Sequence, residues 1–125
     1  MESIIKIEHL RKEYPNVTPI EDVSTEIYPG DVISVIGPSG TGKSTLLNII
    51  GGLDSVSAGS VQVGNYAVSA LDEEELTEYR SSFLGLVFQF HYLLKDFTAL
   101  ENIFLPAFMA GVSQSEAMGR AKKLL

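Results

Sequence analysis

The chain contains no cysteine. That excludes disulfides and thiolate metal sites, and it suits a reducing compartment. No apolar run approaches the length needed to span a bilayer, so any membrane role is expected to pass through a partner. Basic residues are few: 9 Lys and Arg stand against 16 Asp and Glu, for a formal charge of −7. Without a cationic cluster to neutralise many phosphates, nucleic acid is not an expected partner. The opening residues Met1-Glu2-Ser3 lack a basic stretch followed by an apolar core, so no signal peptide is expected. His9 and His91 stand alone without ligand spacing, and no metal is expected on either. There are no internal repeats and no long linker. What is present is enough for one small core: 125 residues, 45% of them hydrophobic.

The most informative stretch is Gly37-Pro38-Ser39-Gly40-Thr41-Gly42-Lys43-Ser44, followed by Thr45. It spells G-x-x-x-x-G-K-[ST], a phosphate-binding loop. Glycines allow the backbone to curl so that successive N–H groups face one anion-sized hollow. Lys43 can reach β- and γ-phosphates, and the Ser44 hydroxyl can hold Mg²⁺. Two Gly, a Lys and a Ser or Thr at this spacing arise by chance in under about 1% of chains this size. The flanks agree with the motif. Asp31 to Ile36 is a short apolar run suited to a buried parallel strand. Leu46, Leu47, Ile49, Ile50 and Leu53 then recur at the spacing of a helix packed on a sheet. Nucleotide binding is the expectation.

Elsewhere, Ile4, Ile5 and Ile7 read as a first strand, and Leu10 to Pro19 as a polar connection. A second strand is expected around Val23 to Ile27, closed by Pro29-Gly30. Together these suggest a small antiparallel layer beside the nucleotide core. Gly51-Gly52 should end the first helix, and Gly59 to Val68 should form a hairpin turning at Gly64-Asn65. Asp72 with Glu75 starts a helix running to about Arg80, the carboxylates serving its dipole rather than chemistry. Phe83 to Phe88 reads as another apolar strand with Gln89 at its end. Thr98 with Glu101 caps a helix that Pro106 is expected to kink or stop. Ser113 with Glu116 caps a last helix, which reaches Leu124-Leu125 without a glycine or asparagine stop. A break inside an element is the expectation there.

At the loop and around Gln89 the chain resembles the ATP-binding subunit of ABC transporters. The likeness covers all of residues 1–125 but corresponds to roughly the N-terminal half of such a subunit. Gly51-Gly52-Leu53-Asp54, the run Val87-Phe88-Gln89-Phe90-His91-Tyr92-Leu93-Leu94 and Asp96-Phe97-Thr98-Ala99-Leu100-Glu101-Asn102 resemble the lipoprotein-releasing and macrolide-exporter branch. The Phe-His pair after the glutamine and the following Asp-Phe-Thr-Ala look most like the lipoprotein-releasing ATPase. Lys95 stands where many members carry proline.

The resemblance implies an α/β fold: the N-terminal part of a P-loop NTPase (ABC ATPase) core with a small antiparallel β layer. It implies ATP and Mg²⁺ as cofactors, with Tyr14 stacking on adenine and Gly37 to Thr45 holding the phosphates. Gln89 would touch Mg²⁺ or the attacking water and link the site to a transmembrane permease subunit. A flat ring suits a base, and a neutral amide can orient water or metal without titrating. Phe88, Phe90, Tyr92 and Phe97 are read equally as core or as a groove for a short helix of that permease. A second ATP-binding subunit would complete a dimer, peripheral on the cytoplasmic side of the inner membrane.

Within these 125 residues there is no strand ending in an Asp-Glu pair, no Leu-Ser-Gly-Gly-Gln signature and no switch histidine. The chain alone is therefore expected to bind nucleotide weakly and hydrolyse it negligibly. Two other readings stand beside this one. The first is a non-catalytic ATP-binding module. The second is a guanylate-kinase-like phosphotransferase, whose loop is similar but whose loop strand opens the chain.

Overall fold

A computed structural model describes all 125 residues, which gather into two compact units, Met1–Arg80 and Ser81–Leu125. The first is built on a four-stranded antiparallel sheet. Its strands are β1 (Ile5–Tyr14), β2 (Val17–Ile27), β3 (Ala58–Val63) and the short β4 (Tyr66–Ala67), in the order β2-β1-β3-β4. Two helices complete it, α1 (Lys43–Ile50) and α2 (Glu73–Ser82), with a 3-10 turn at Val68–Ala70. Ile7, Leu10, Ile20, Ile49, Val61, Val63, Val68 and Tyr79 form its buried core.

The strands run further than their apolar residues suggest. β1 and β2 continue through the expected polar connection to a two-residue turn at Pro15-Asn16, with Tyr14 opposite Val17. Pro19 lies inside β2, which is tolerable because β2 is an edge strand with one side free of ladder bonds. Tyr14 therefore sits at a strand end beside a tight turn, not in a loop.

β1 also carries a bulge. Its register shifts between Ile7 and Leu10, and His9 takes a left-handed φ of +48°. The bulge switches the phase of the strand, because one extra residue exchanges its two faces. Ile7 faces the core before it; Leu10 and Lys12 are buried after it, and Tyr14 shares their phase. The His9 amide donates to Ser24 Oγ at 2.9 Å, and His9 Nδ1 lies 3.2 Å from Asp22 Oδ1. Opposite the bulge is Gly59, where a Cβ would lie 2.2 Å from the His9 carbonyl oxygen. Only glycine fits there.

Helix α1 ends in a Schellman turn. Gly52, at φ +72°, donates to the Ile49 carbonyl at 3.0 Å, and Leu53 donates to Asn48 at 2.8 Å. Gly51 donates to Leu47 at 2.9 Å. The last of the four terminal carbonyls, that of Ile50, accepts from the buried Tyr79 hydroxyl at 2.6 Å. Arg80 adds a 2.7 Å bond to the Gly52 carbonyl. The expected hairpin forms, with Val63 opposite Tyr66. Asp72 and Glu75 cap α2 reciprocally, at 2.8 and 3.3 Å.

Two expected strands are absent. Residues 31–36 and 83–88 form no strand and pair with none of the sheet's strands. Val32 and Ile36 are 96% and 88% exposed, and Val87 is fully exposed. An apolar run signals a surface that needs covering, but a strand needs ladder partners on its edges. The sheet of this chain offers these segments none.

The second unit is a helix pair, α3 (Ala99–Met109) and α4 (Gln114–Leu124). Phe104, Ala117 and Ala121 form its buried centre, ringed by Leu100, Ile103 and Met118. Thr98 and Glu101 cap α3 reciprocally, at 3.1 and 2.9 Å. Contrary to the expected stop, α3 runs three residues past Pro106 to Met109. Its chain is turned only at Gly111, whose amide donates to Phe108.

Candidate functional site

The loop Gly37–Gly42 leads directly into α1, whose first residue is Lys43. No side chain caps this helix and its first turn has no acidic residue, so its free N–H groups and dipole are left to an external anion. Gly40 and Gly42 adopt φ of +82° and +90°, and a Cβ on Gly42 would lie 2.6 Å from the Pro19 carbonyl. Lys43 Nζ donates to the Gly37 and Pro38 carbonyls at 2.5 and 2.7 Å, and Thr41 Oγ1 donates to Pro38 at 2.7 Å. The lysine thus lies across the loop. Pro38, Ser39 and Ser44 are solvent-exposed.

Tyr14 stands beside the start of α1. Its hydroxyl donates to Asp54 Oδ2. That bond holds the phenol above its ordinary range, with burial adding and the Thr45 side chain pulling weakly the other way. Asp54 Oδ1 accepts from Lys12 Nζ at 3.0 Å and from the Ser55 amide at 2.8 Å. Desolvation pushes the Asp54 carboxyl up, but bonds from Tyr14, Lys12 and Ser55, with the charge of Lys12, outweigh it and hold it below the usual range. Lys12, only 7% exposed, also lies 5.0 Å from the Tyr14 ring centroid. Lys12 gave no signal in the sequence, where it sits in an apparent polar connection. Alternation from the buried Leu10 could have found it, but only once the bulge is known.

A concavity of about 450 Å³ borders the loop at Ile36, Gly37, Pro38, Gly42 and Lys43, yet its wall also carries Glu21 and Asp22 and excludes Tyr14. Those carboxylates make that concavity unfavourable for a triphosphate. No group of three or more His, Cys, Asp or Glu could hold a metal ion. The Ser44 hydroxyl is a hard oxygen donor, and Mg²⁺ commonly takes one or two protein oxygens with phosphates and water. The residues fit Mg²⁺ only together with a nucleotide.

Gln89 belongs to the second unit, on an exposed bend. Phe88, Phe90, Tyr92 and Phe97 around it are exposed, so in this chain they are not core. Tyr92 meets Phe88 and Phe90 edge-on, with centroids 5.1 and 6.2 Å apart. Asn102 ties down the following segment. Its Nδ2 donates to the Leu94, Phe97 and Thr98 carbonyls, and its Oδ1 accepts the Leu94 amide at 2.8 Å.

A glycine loop entering an uncapped helix beside a small antiparallel sheet places the chain in the phosphate-loop class of α/β folds. The ABC transporter family profile matches residues 20–125. The chain is 52% identical over 126 residues to the lipoprotein-releasing system ATP-binding protein LolD of Treponema denticola, covering 98% of this chain and 56% of that protein. It is 46% identical over 122 residues to the protein of that name from Bacteroides thetaiotaomicron, again 98% of this chain and 56% of the relative. Among solved structures it superposes on the dimeric post-hydrolysis state of the ATP-binding cassette MJ0796 bound to ADP and Pi. That match has a TM-score of 0.87 and 37% identity, over 95% of this chain and 54% of the other. The chain belongs to the ABC transporter family. It spans about half the length of the relatives it matches.

Proposed function

We propose that residues 1–125 are a partial ABC ATP-binding domain, the base- and phosphate-binding part of a subunit that powers lipoprotein release through a membrane partner. The observation that carries this reading is the loop at the uncapped start of α1, with Lys43 across it and Tyr14 tethered alongside. In this reading the free amides of Gly40 to Thr45 bind the β- and γ-phosphates and Lys43 leaves its loop carbonyls for phosphate oxygens. Ser44 holds Mg²⁺ and Tyr14 covers the adenine. When bound, Mg-ATP would supply the phosphoryl group, with the metal offsetting its charge. Gln89 orients Mg²⁺ or water. The aromatic segment behind it, kept in shape by Asn102, receives the transmembrane permease. A second ATP-binding subunit completes the site, and the assembly sits at the cytoplasmic face of the inner membrane. No helix of this chain is long and apolar enough to cross a membrane.

The unpaired segments 31–36 and 83–88 support the partial-domain reading, because apolar residues exposed in this way need neighbouring chain to cover them. By itself the chain binds nucleotide weakly and turns it over negligibly. Isothermal titration calorimetry with Mg-ATP on the full-length protein tests the reading. Binding heat should vanish in Lys43→Ala, and Mg-ATP at about 100-fold over Kd should stabilise the wild type by roughly 2.7 kcal/mol. Folded protein that gives no heat, or a Lys43→Ala variant that binds normally, overturns it.

A further inference from the structure

We propose that Lys12 and Asp54 are positioning residues that lock Tyr14 into a one-faced platform for a purine base. The proposal rests on the reading of Tyr14 as the base-stacking residue and says how that ring is held and what it can discriminate. Two contacts fix the ring, and a third closes the cluster around it. Asp54 Oδ2 accepts its hydroxyl, which pins the edge. Lys12 Nζ lies 5.0 Å from the centroid, so one face is occupied by an ammonium. The same ammonium is bound to Asp54 Oδ1 at 3.0 Å and to Ser55 Oγ at 3.2 Å, which closes the cluster.

The cluster joins two elements that the phosphate loop alone does not align. Lys12 and Tyr14 come from the end of β1, while Asp54 follows the Schellman turn of α1. Because α1 begins at the phosphate loop, the Asp54 tether sets where the ring stands relative to the phosphates. Two further bonds hold the pair of segments together, from the Ser57 amide to the Arg11 carbonyl at 2.9 Å and from the Glu13 amide to Ser57 Oγ at 2.8 Å.

A consequence for specificity follows. The phenol proton is committed to Asp54, so the ring edge cannot donate to a base. A base meets only the face opposite Lys12, and stacking is tolerant of base identity because every purine presents a similar π surface. The platform therefore selects for a base against no base and does not separate adenine from guanine.

Titration calorimetry on the full-length protein, with Mg-ATP, Mg-GTP and Mg-tripolyphosphate as probes, tests this. Tyr14→Ala should weaken ATP and GTP by about tenfold or more, the range of one base–aromatic stack, and spare tripolyphosphate. Asp54→Asn should weaken both nucleotides by about three- to tenfold and likewise spare tripolyphosphate, with little added effect in the Tyr14→Ala background. Tyr14→Phe keeps the ring at an accessible site and removes only the hydroxyl, with its tether to Asp54 and its contact with Thr45. It should reproduce most of the Asp54→Asn loss without the risk of unfolding. If Tyr14→Ala weakens ATP but Tyr14→Phe and Asp54→Asn do not, the positioning claim fails and the stacking role stands. If Tyr14→Ala changes nothing, the stacking role itself fails. Equal loss of tripolyphosphate in Asp54→Asn would mark a merely structural residue and overturn the proposal.

Discussion

Replacing Tyr79 with phenylalanine removes one oxygen from a place that water does not reach. The ring remains, as does its contact with Tyr66 at 5.1 Å between centroids, so no cavity opens. What disappears is the partner of the Ile50 carbonyl. The other three terminal carbonyls of α1 are met by backbone amides, and this one is met by a side chain. Leaving a buried acceptor unsatisfied costs about 1–3 kcal/mol. Urea unfolding followed by circular dichroism at pH 7 measures the loss on the full-length protein.

A second signature lies in alkali. Burial pushes the Tyr79 phenol up to about 12. A phenol whose folded value exceeds its unfolded value of about 10 contributes stability that is complete below that pH. The contribution drains away as the pH rises from there through the folded value. Tyr79→Phe should therefore be weaker than wild type at neutral pH, with a shallower decline between about pH 10 and 12. Stability within about 0.5 kcal/mol of wild type, or an unaltered alkaline decline, would refute the assignment of Tyr79 as the cap of that carbonyl.

Three further outcomes are expected. Gly59→Ala forces a methyl against the His9 carbonyl at 2.2 Å, and should cost about 3 kcal/mol in chemical unfolding, more than an ordinary surface change. Thr98→Ala removes one arm of the α3 capping box; hydrogen exchange in the first turn of α3 should accelerate, with about 1 kcal/mol lost. Because the Asp54 carboxyl is held below its usual range, its pairing stabilises the fold above about pH 4, and that stability is lost as the pH falls through the lower folded value. Acid titration of unfolding should show this limb in wild type and a flatter one in Asp54→Asn.

Features that depend on near neighbours were legible in the residues. The phosphate loop, the Gly64-Asn65 turn and the caps at Asp72, Thr98 and Ser113 each involve partners a few positions apart. Their side chains and turn geometry carry the information locally. The tether from Tyr14 to Asp54 spans 40 residues, and that from Tyr79 to Ile50 spans 29. No periodicity announces either one. The segments 31–36 and 83–88 show the converse limit, since their composition reports a wish for burial but not whether a neighbouring strand is available. Pro106 illustrates a third: it forfeits one helical bond, yet α3 continues because Phe104 and its neighbours are anchored on α4.

The left-handed His9 acts as a parity switch. Upstream of it the odd-numbered residues look inward; downstream the even-numbered ones do, and Lys12 and Tyr14 share the face of Leu10 only because that exchange occurs. Shortening the strand by a single residue there would leave every later side chain intact in chemistry and reversed in direction. The tether between Tyr14 and Asp54 would then be lost without any change to either residue.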